Sequence, residues 1–179
     1  MTSSTLDQWL ADEAAVMTAL RAGPGPGVAR PDQVAGQTGL AMMQGMLRGE
    51  LPFAPIAQTL DYLLIAVDDG MATFQGTPGD RHFNPMGTVH GGWFATLLDS
   101  ALGCAVHTRM PPGRAYTTAE LSVNIVRAAS HKSGPLRAIG TVLHAGRQLA
   151  TAEARIVGAD GKLYAHATTT CLVFEVPAR

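Results

Sequence analysis

One segment constrains the fold more than any other. Between the glycines at 91–92 and the break at Pro111-Pro112-Gly113, Phe94, Leu97, Leu98, Ala101, Ala105 and Val106 recur at three- and four-residue steps. That is the spacing of an apolar helix face, and it predicts one helix over 91–108. The segments around it have the period of strands. Upstream, Leu60–Val67 and Met71–Thr77 flank Asp68-Asp69-Gly70, a hairpin turn sequence, and a Gly-, Pro- and Asn-rich loop fills 78–89. Downstream, 117–126, 136–144, 149–157 and 162–175 read as four strands, with turns at Gly146-Arg147 and Asp160-Gly161. In the first of these, Leu121, Val123 and Ile125 alternate with Glu120, Ser122 and Asn124. A single long helix among six antiparallel strands predicts an α+β domain whose sheet wraps the helix.

Residues 1–55 have a different character. Ser4 can cap a helix over 5–21, with Leu6, Leu10, Met17 and Leu20 at near-helical spacing. The run Gly23-Pro24-Gly25-Pro26-Gly27 ends it. A second helix over 31–48 starts at Pro31 and carries Leu40, Met43 and Leu47. Its Gly36, Gly39 and Gly45 each cost about 1 kcal/mol relative to Ala, so it needs tertiary contacts to form. Pro52 and Pro55 close the region. The expected division is a helical arm over 1–55 and one domain over 56–179.

Composition removes several function classes. Lys and Arg number 13 against 14 Asp and Glu, for a net charge of -1. Such a chain has no broad field for nucleic acid or an anionic membrane. Only 15% of residues are charged and 46% are hydrophobic, which excludes disorder. It also suggests that a second subunit covers part of the surface. The longest run without Asp, Glu, Lys or Arg, 82–98, holds His82, Asn84, Pro85 and His90, too polar for a membrane span. Asp7, Asp12 and Glu13 stand where a secretory leader carries basic residues, so a cytoplasmic location is expected. Cys104 and Cys171 lie far apart in apolar segments and read as buried, reduced thiols. His107, His131, His144 and His166 show no metal-ligand spacing, and no metal is expected.

Chemistry concentrates in 84–99. His90-Gly91-Gly92 stands at the start of the predicted helix, where free N–H groups and the positive dipole end favour negative charge. Glycine there lets a substrate oxygen approach the backbone, a candidate oxyanion site. An ordinary glycine-rich loop is the alternative. His82, near this loop, reads as a residue that caps it. Asp99 is the second unusual residue, a carboxylate between Leu97-Leu98 and Ala101-Leu102. A buried carboxylate is costly and needs a reason. Its helical neighbours Ala95, Thr96, Ser100 and Gly103 are small or polar, so something can approach that face. Gly91 and Asp99 are eight residues apart, roughly 12 Å along a helix. One helix cannot bring both to one carbonyl carbon, but two antiparallel copies can. The spacing argues for a homodimer with sites at its interface.

These residues carry a family resemblance. Asn84, His90, Gly91, Gly92 and Asp99, then Tyr116-Thr117-Thr118-Ala119-Glu120-Leu121, Gly146-Arg147, Asp160-Gly161 and Thr168-Thr169-Thr170, resemble the hotdog-fold acyl-CoA thioesterases of the phenylacetic-acid-degradation (PaaI-like) type. The likeness spans about 56–176. It implies a hotdog fold, a six-stranded antiparallel sheet wrapped around one long central helix, here with an N-terminal helical extension. It implies hydrolysis of an aryl- or medium-chain acyl-CoA to the free acid and CoA. CoA is part of the substrate, and no cofactor is needed. The resemblance makes the Gly91 amide the group that polarises the thioester carbonyl, with Asn84 assisting or holding the loop. Asp99 becomes general base or nucleophile, and His90 helps the thiolate leave. Thr117 positions the water or the carboxylate. Arg147, after Gly146, meets the CoA phosphates, with Arg114 and Arg127 as further candidates. The family assembles as dimers with shared sites and as dimers of dimers.

Two departures from the family pattern matter. The arm is absent from minimal members. It can pack on the sheet or cover an acyl pocket with Met42, Met43 and Met46. Position 103 is Gly where some relatives bear a hydroxyl, which leaves Thr117 or Ser100 to partner Asp99. Two other functions share this groove. A hydroxyacyl-thioester dehydratase needs an Asp-to-His spacing that the chain lacks, and an acyl-CoA-binding protein would not depend on Asp99.

Overall fold

The computed structural model describes residues 4–176. Six strands form one antiparallel sheet: β1 (Tyr62–Asp68), β2 (Met71–Gly76), β3 (Arg114–Ile125), β4 (Leu136–Ala145), β5 (Leu149–Gly158) and β6 (Leu163–Glu175). Their spatial order is β1-β2-β4-β5-β6-β3. The long helix, Gly91–Thr108, lies against every strand, and it is α5 once the four arm helices are counted. This is the sheet wrapped on one helix that the sequence pattern predicts, and the hotdog arrangement that the family resemblance implies.

The close wrap has a cause in side-chain size. Phe94, Leu97, Leu98, Leu102 and Val106 of α5 are buried. The sheet face they meet is built from small residues, among them Ala138, Ala150, Ala152, Ala165 and Ala167. At Gly140 a Cβ would collide with the Ala101 carbonyl, so glycine lets β4 touch the helix backbone. Four bulges curve the sheet, with Ile65, Ala119, Leu143 and Tyr164 as the extra residues.

The arm holds α1 (Thr5–Ala22), α2 (Pro31–Val34), α3 (Gly39–Leu47) and α4 (Pro55–Thr59). Ser4 caps α1 through a reciprocal box: its Oγ accepts from the Asp7 amide at 3.1 Å, and its own amide donates to Asp7 Oδ2 at 3.1 Å. The single helix expected over 31–48 is two, because Gly36 takes φ 72° and Thr38 starts a new cap, accepting from the Ala41 amide. The segment from 56, expected to open as strand, continues α4 to Thr59, with Pro55 in its first turn.

The arm clasps the β1 edge from both sides. On the face away from α5, Arg137 of β4 donates to Gln75 Oε1 and Asp12 Oδ2, each at 2.7 Å, with its guanidinium 4.5 Å above the Trp9 ring. Gln75 Nε2 in turn donates to Glu13 Oε2 at 2.8 Å. On the other side, α3 packs on β1 and α5. The Gly39 amide donates to the Met110 carbonyl at 2.9 Å, and a Cβ at 39 would collide with the His107 carbonyl. Met43 is buried here, while Met42 and Met46 are half-buried. The other sheet edge, β3, pairs with β6 on one side and with nothing among the described residues on the other.

Candidate active site

Loop 78–90 delivers the chain to the start of α5 and is tied at several points. Asn84 organises its tip. Its Oδ1 accepts from the amides of Met86 at 3.0 Å and Thr88 at 3.2 Å, and its Nδ2 donates to Thr88 Oγ1 at 2.8 Å. Both ends of the amide are engaged within the loop, so within one chain Asn84 holds the loop. Gly87, at φ 79°, makes the turn possible. The His90 amide donates to the His82 carbonyl at 2.8 Å, which closes the loop at its base.

His90 is the N-cap of α5. Its Nδ1 accepts from the Gly92 amide at 2.8 Å, so the ring proton sits on the exposed Nε2. The Trp93 amide donates to the His90 carbonyl at 3.0 Å. That leaves the Gly91 amide, at the first helical position, without an acceptor among the described residues. A Cβ at 91 would stand 3.3 Å from Ile125 Cδ1, beside the C-terminal end of β3.

Asp99 lies two turns further along α5, half-buried. Its Oδ1 accepts from Thr118 Oγ1 at 3.1 Å. Here the structure corrects the sequence reading: Thr118, not Thr117, meets Asp99, and Thr117 is exposed. The bulge at Ala119 is the reason. Counting inward positions back from Leu121 and Val123 gives 119 and 117, but the extra residue shifts the phase and turns Tyr116 and Thr118 inward. Ser100, the other expected partner, instead shares a 2.9 Å hydrogen bond with Tyr62 Oη.

The remaining groups around Asp99 stay protonated. Burial, and then the charge of Asp99, push the Cys104 thiol up to about 12, which rules it out as a nucleophile at neutral pH. Burial raises Tyr116 well above its ordinary value and raises Tyr62 as well. Tyr116 carries no signal in the sequence that singles it out. Its ring crosses α5 at Gly103, where a Cβ would be 2.5 Å from its hydroxyl. The missing side chain at 103 is thus replaced by a tyrosine hydroxyl from β3.

The structure brings Asn84, His90 and Gly91 together and leaves Asp99 and Thr118 as a second group further along α5. Arg147 and Gly146 form the β4–β5 turn, and Arg114 donates to the Arg147 carbonyl. They flank the start of β3, whereas Gly91 flanks its end. Arg127 is at the Gly91 end, 5.8 Å over the Tyr164 ring. Among the described residues, no three His, Cys, Asp or Glu side chains are grouped to hold a metal ion, and no helix is long and apolar enough to cross a membrane.

The thioesterase superfamily pattern matches residues 86–165, from the loop through α5 to β6. No curated protein matches the chain. Solved structures do. A phenylacetic acid degradation-related protein from Ralstonia eutropha JMP134 is 32% identical, with 73% of this chain and 98% of that one covered and a TM-score of 0.66. A variant of the phenylacetic acid degradation protein PaaI from Thermus thermophilus is 27% identical over 66% of this chain and 97% of that one, with a TM-score of 0.60. The PaaI protein of the Escherichia coli phenylacetic acid degradation operon shares the fold at 23% identity, over 68% of this chain and 87% of that one, with a TM-score of 0.61. With its wrapped helix, its glycine-started α5 and these likenesses, the chain belongs to the thioesterase superfamily, as a PaaI-like thioester hydrolase of the hotdog fold.

Proposed function

We propose that this hydrolase acts on an aryl- or medium-chain acyl-CoA and releases the free acid and CoA. The observation that carries the reading is the half-buried Asp99 carboxylate, held by Thr118 at 3.1 Å on a helix face of small residues. In the proposed chemistry the Gly91 amide binds the thioester oxygen as negative charge builds on it. Asp99 takes a proton from water as the water oxygen bonds to the carbonyl carbon. The carbon–sulfur bond then breaks, His90 Nε2–H donates a hydrogen bond to the departing thiolate, and the thiolate takes up the proton that Asp99 had accepted, which restores the carboxylate. Thr118, rather than Thr117, orients the carboxylate.

The roughly 12 Å between Gly91 and Asp99 favours a site shared by two antiparallel copies, Gly91 from one and Asp99 from the other. In that arrangement Arg147, at the far end of β3, lies on the same side as the partner's loop and can meet CoA phosphates. The bare β3 edge supports this assembly.

A panel of aryl- and straight-chain acyl-CoAs, assayed for acid and free thiol, tests the substrate class. Preference for aryl or medium-chain groups is expected, and preference for long chains overturns it. Arg147→Ala should raise KM for acyl-CoA with kcat little changed, because phosphate contacts serve ground and transition states equally. A truncated thioester without the nucleotide should be indifferent to the change. If both substrates suffer equally, Arg147 is structural.

A further inference from the structure

Beneath the start of α5 lies a second polar arrangement, which the proposed chemistry does not use. His82 is buried, its side chain 2% exposed. Three of its groups face defined partners. Nδ1 accepts from the Gly79 amide at 3.0 Å. The carbonyl accepts from the His90 amide at 2.8 Å. Nε2, which carries the proton, lies 3.4 Å from Asp61 Oδ2 and has no aligned hydrogen bond. Asp61 also pairs with Arg81 and takes φ 52°, the one non-glycine residue with positive φ among the described residues. Strained backbone of this kind persists where the surroundings over-determine it. The surroundings here are dense. The Trp93 indole donates to the Leu60 carbonyl at 2.9 Å, next to Asp61, and its ring lies 5.9 Å from His82.

We propose that Asp61 and His82 form a positioning pair that holds the Gly91 amide in place for the thioester oxygen. The inference rests on the reading of Gly91 as oxyanion donor. The link is short: the His82 carbonyl fixes the His90 amide, and His90 is the N-cap whose next residue is Gly91. The pair works only with neutral imidazole, because a proton on Nδ1 would face the Gly79 amide donor to donor and release the loop. Burial keeps His82 below its ordinary value, and of the charged groups facing it the Asp61 carboxylate favours the imidazolium while Arg81 opposes it. Removing the Asp61 charge therefore makes His82 harder to protonate.

The test is the pH dependence of kcat, read beside the amide resonances of Gly79 and Gly91 in a nitrogen–proton correlation spectrum. In the wild type, kcat falls on the acid side with a midpoint below 6.5. Gly79 and Gly91 shift with the same midpoint. Asp61→Asn keeps a residue that tolerates positive φ but removes the charge. It should move both midpoints down together and leave KM unchanged. His82→Gln retains an acceptor for Gly79 and a donor toward Asp61 but cannot gain a proton, so it should abolish this acid limb. A Gly91 resonance whose titration is unmoved by Asp61→Asn and survives His82→Gln overturns the inference. If Gly91 follows His82 and kcat does not, the pair positions the loop and the assignment of Gly91 as oxyanion donor fails instead.

Discussion

At the scale of single residues, the site depends on where one carboxylate and its hydroxyl partner stand. Asp99→Asn is isosteric but cannot take a proton. It should keep the fold and substrate binding while kcat drops on the order of 10²–10⁴-fold. Near wild-type turnover would remove Asp99 from the mechanism. The bulge at Ala119 makes a sharper contrast between adjacent threonines. Thr118→Val deletes a hydrogen bond to a charged group, worth about 1.5–3 kcal/mol, so kcat should fall on the order of 10–100-fold. Thr117→Val, on the exposed face, should stay close to wild type. Steady-state kinetics on both variants decides, and the reverse ranking would return the role to Thr117. Asp99, His90 and Gly91 stand out in the sequence as candidates because their chemistry is unusual where they stand. Thr118 does not, because the extra residue at Ala119 leaves no trace in composition or period.

At the scale of elements, the arm is stitched to the sheet by Arg137, Gln75, Asp12 and Trp9 rather than by apolar burial alone. Hydrogen bonding to Arg137, then to Gln8, holds the Asp12 carboxyl below its ordinary 3.8. A carboxylate depressed in the folded state adds stability above its unfolded value, and loses it as pH falls through the folded one. Asp12→Asn should therefore lower the thermal midpoint at pH 6, and the gap should close as pH falls below 3.8 and through the folded value. A gap between the two proteins that persists into strong acid would show that Asp12 acts by packing rather than charge. The sequence pattern placed α1, α5 and all six strands, since long periodic segments carry their own signal. It joined α2 and α3 into one helix because a glycine only breaks a helix outright where it takes a left-handed turn, as Gly36 does at φ 72°.

At the scale of the whole molecule, the arm covers the β1 edge and leaves β3 bare, with Ile125 44% exposed near Gly91. An open strand edge is a ready surface for another chain, which agrees with a site shared between copies. Asp99→Asn homodimers would lack the base in both sites, and Asn84→Ala homodimers would lack an ordered carbonyl-binding loop in both. A mixed dimer collects both lesions in one site and neither in the other. Random re-association makes about half the dimers mixed, so roughly a quarter of wild-type activity should return. Co-expression with two tags and double purification isolates the mixed dimers, which should then show about half of wild-type activity. Activity no higher than the mean of the parents would mean that each site is built within one subunit.

What the sequence determined by itself was local and periodic: one helix, the strands around it, their turns, and a carboxylate two helical turns from a glycine-started N-terminus. These follow from nearest-neighbour sterics and from the repeat of apolar residues, which a linear string displays. Tertiary structure alone decided which residues meet. A bulge chose Thr118 over Thr117 for Asp99, and the absence of a side chain at Gly103 admitted Tyr116 across the helix. Arg137 of β4 captured a helix 125 positions earlier in the chain. Such pairings depend on the register and curvature of a sheet, which arise only when its strands close on the helix.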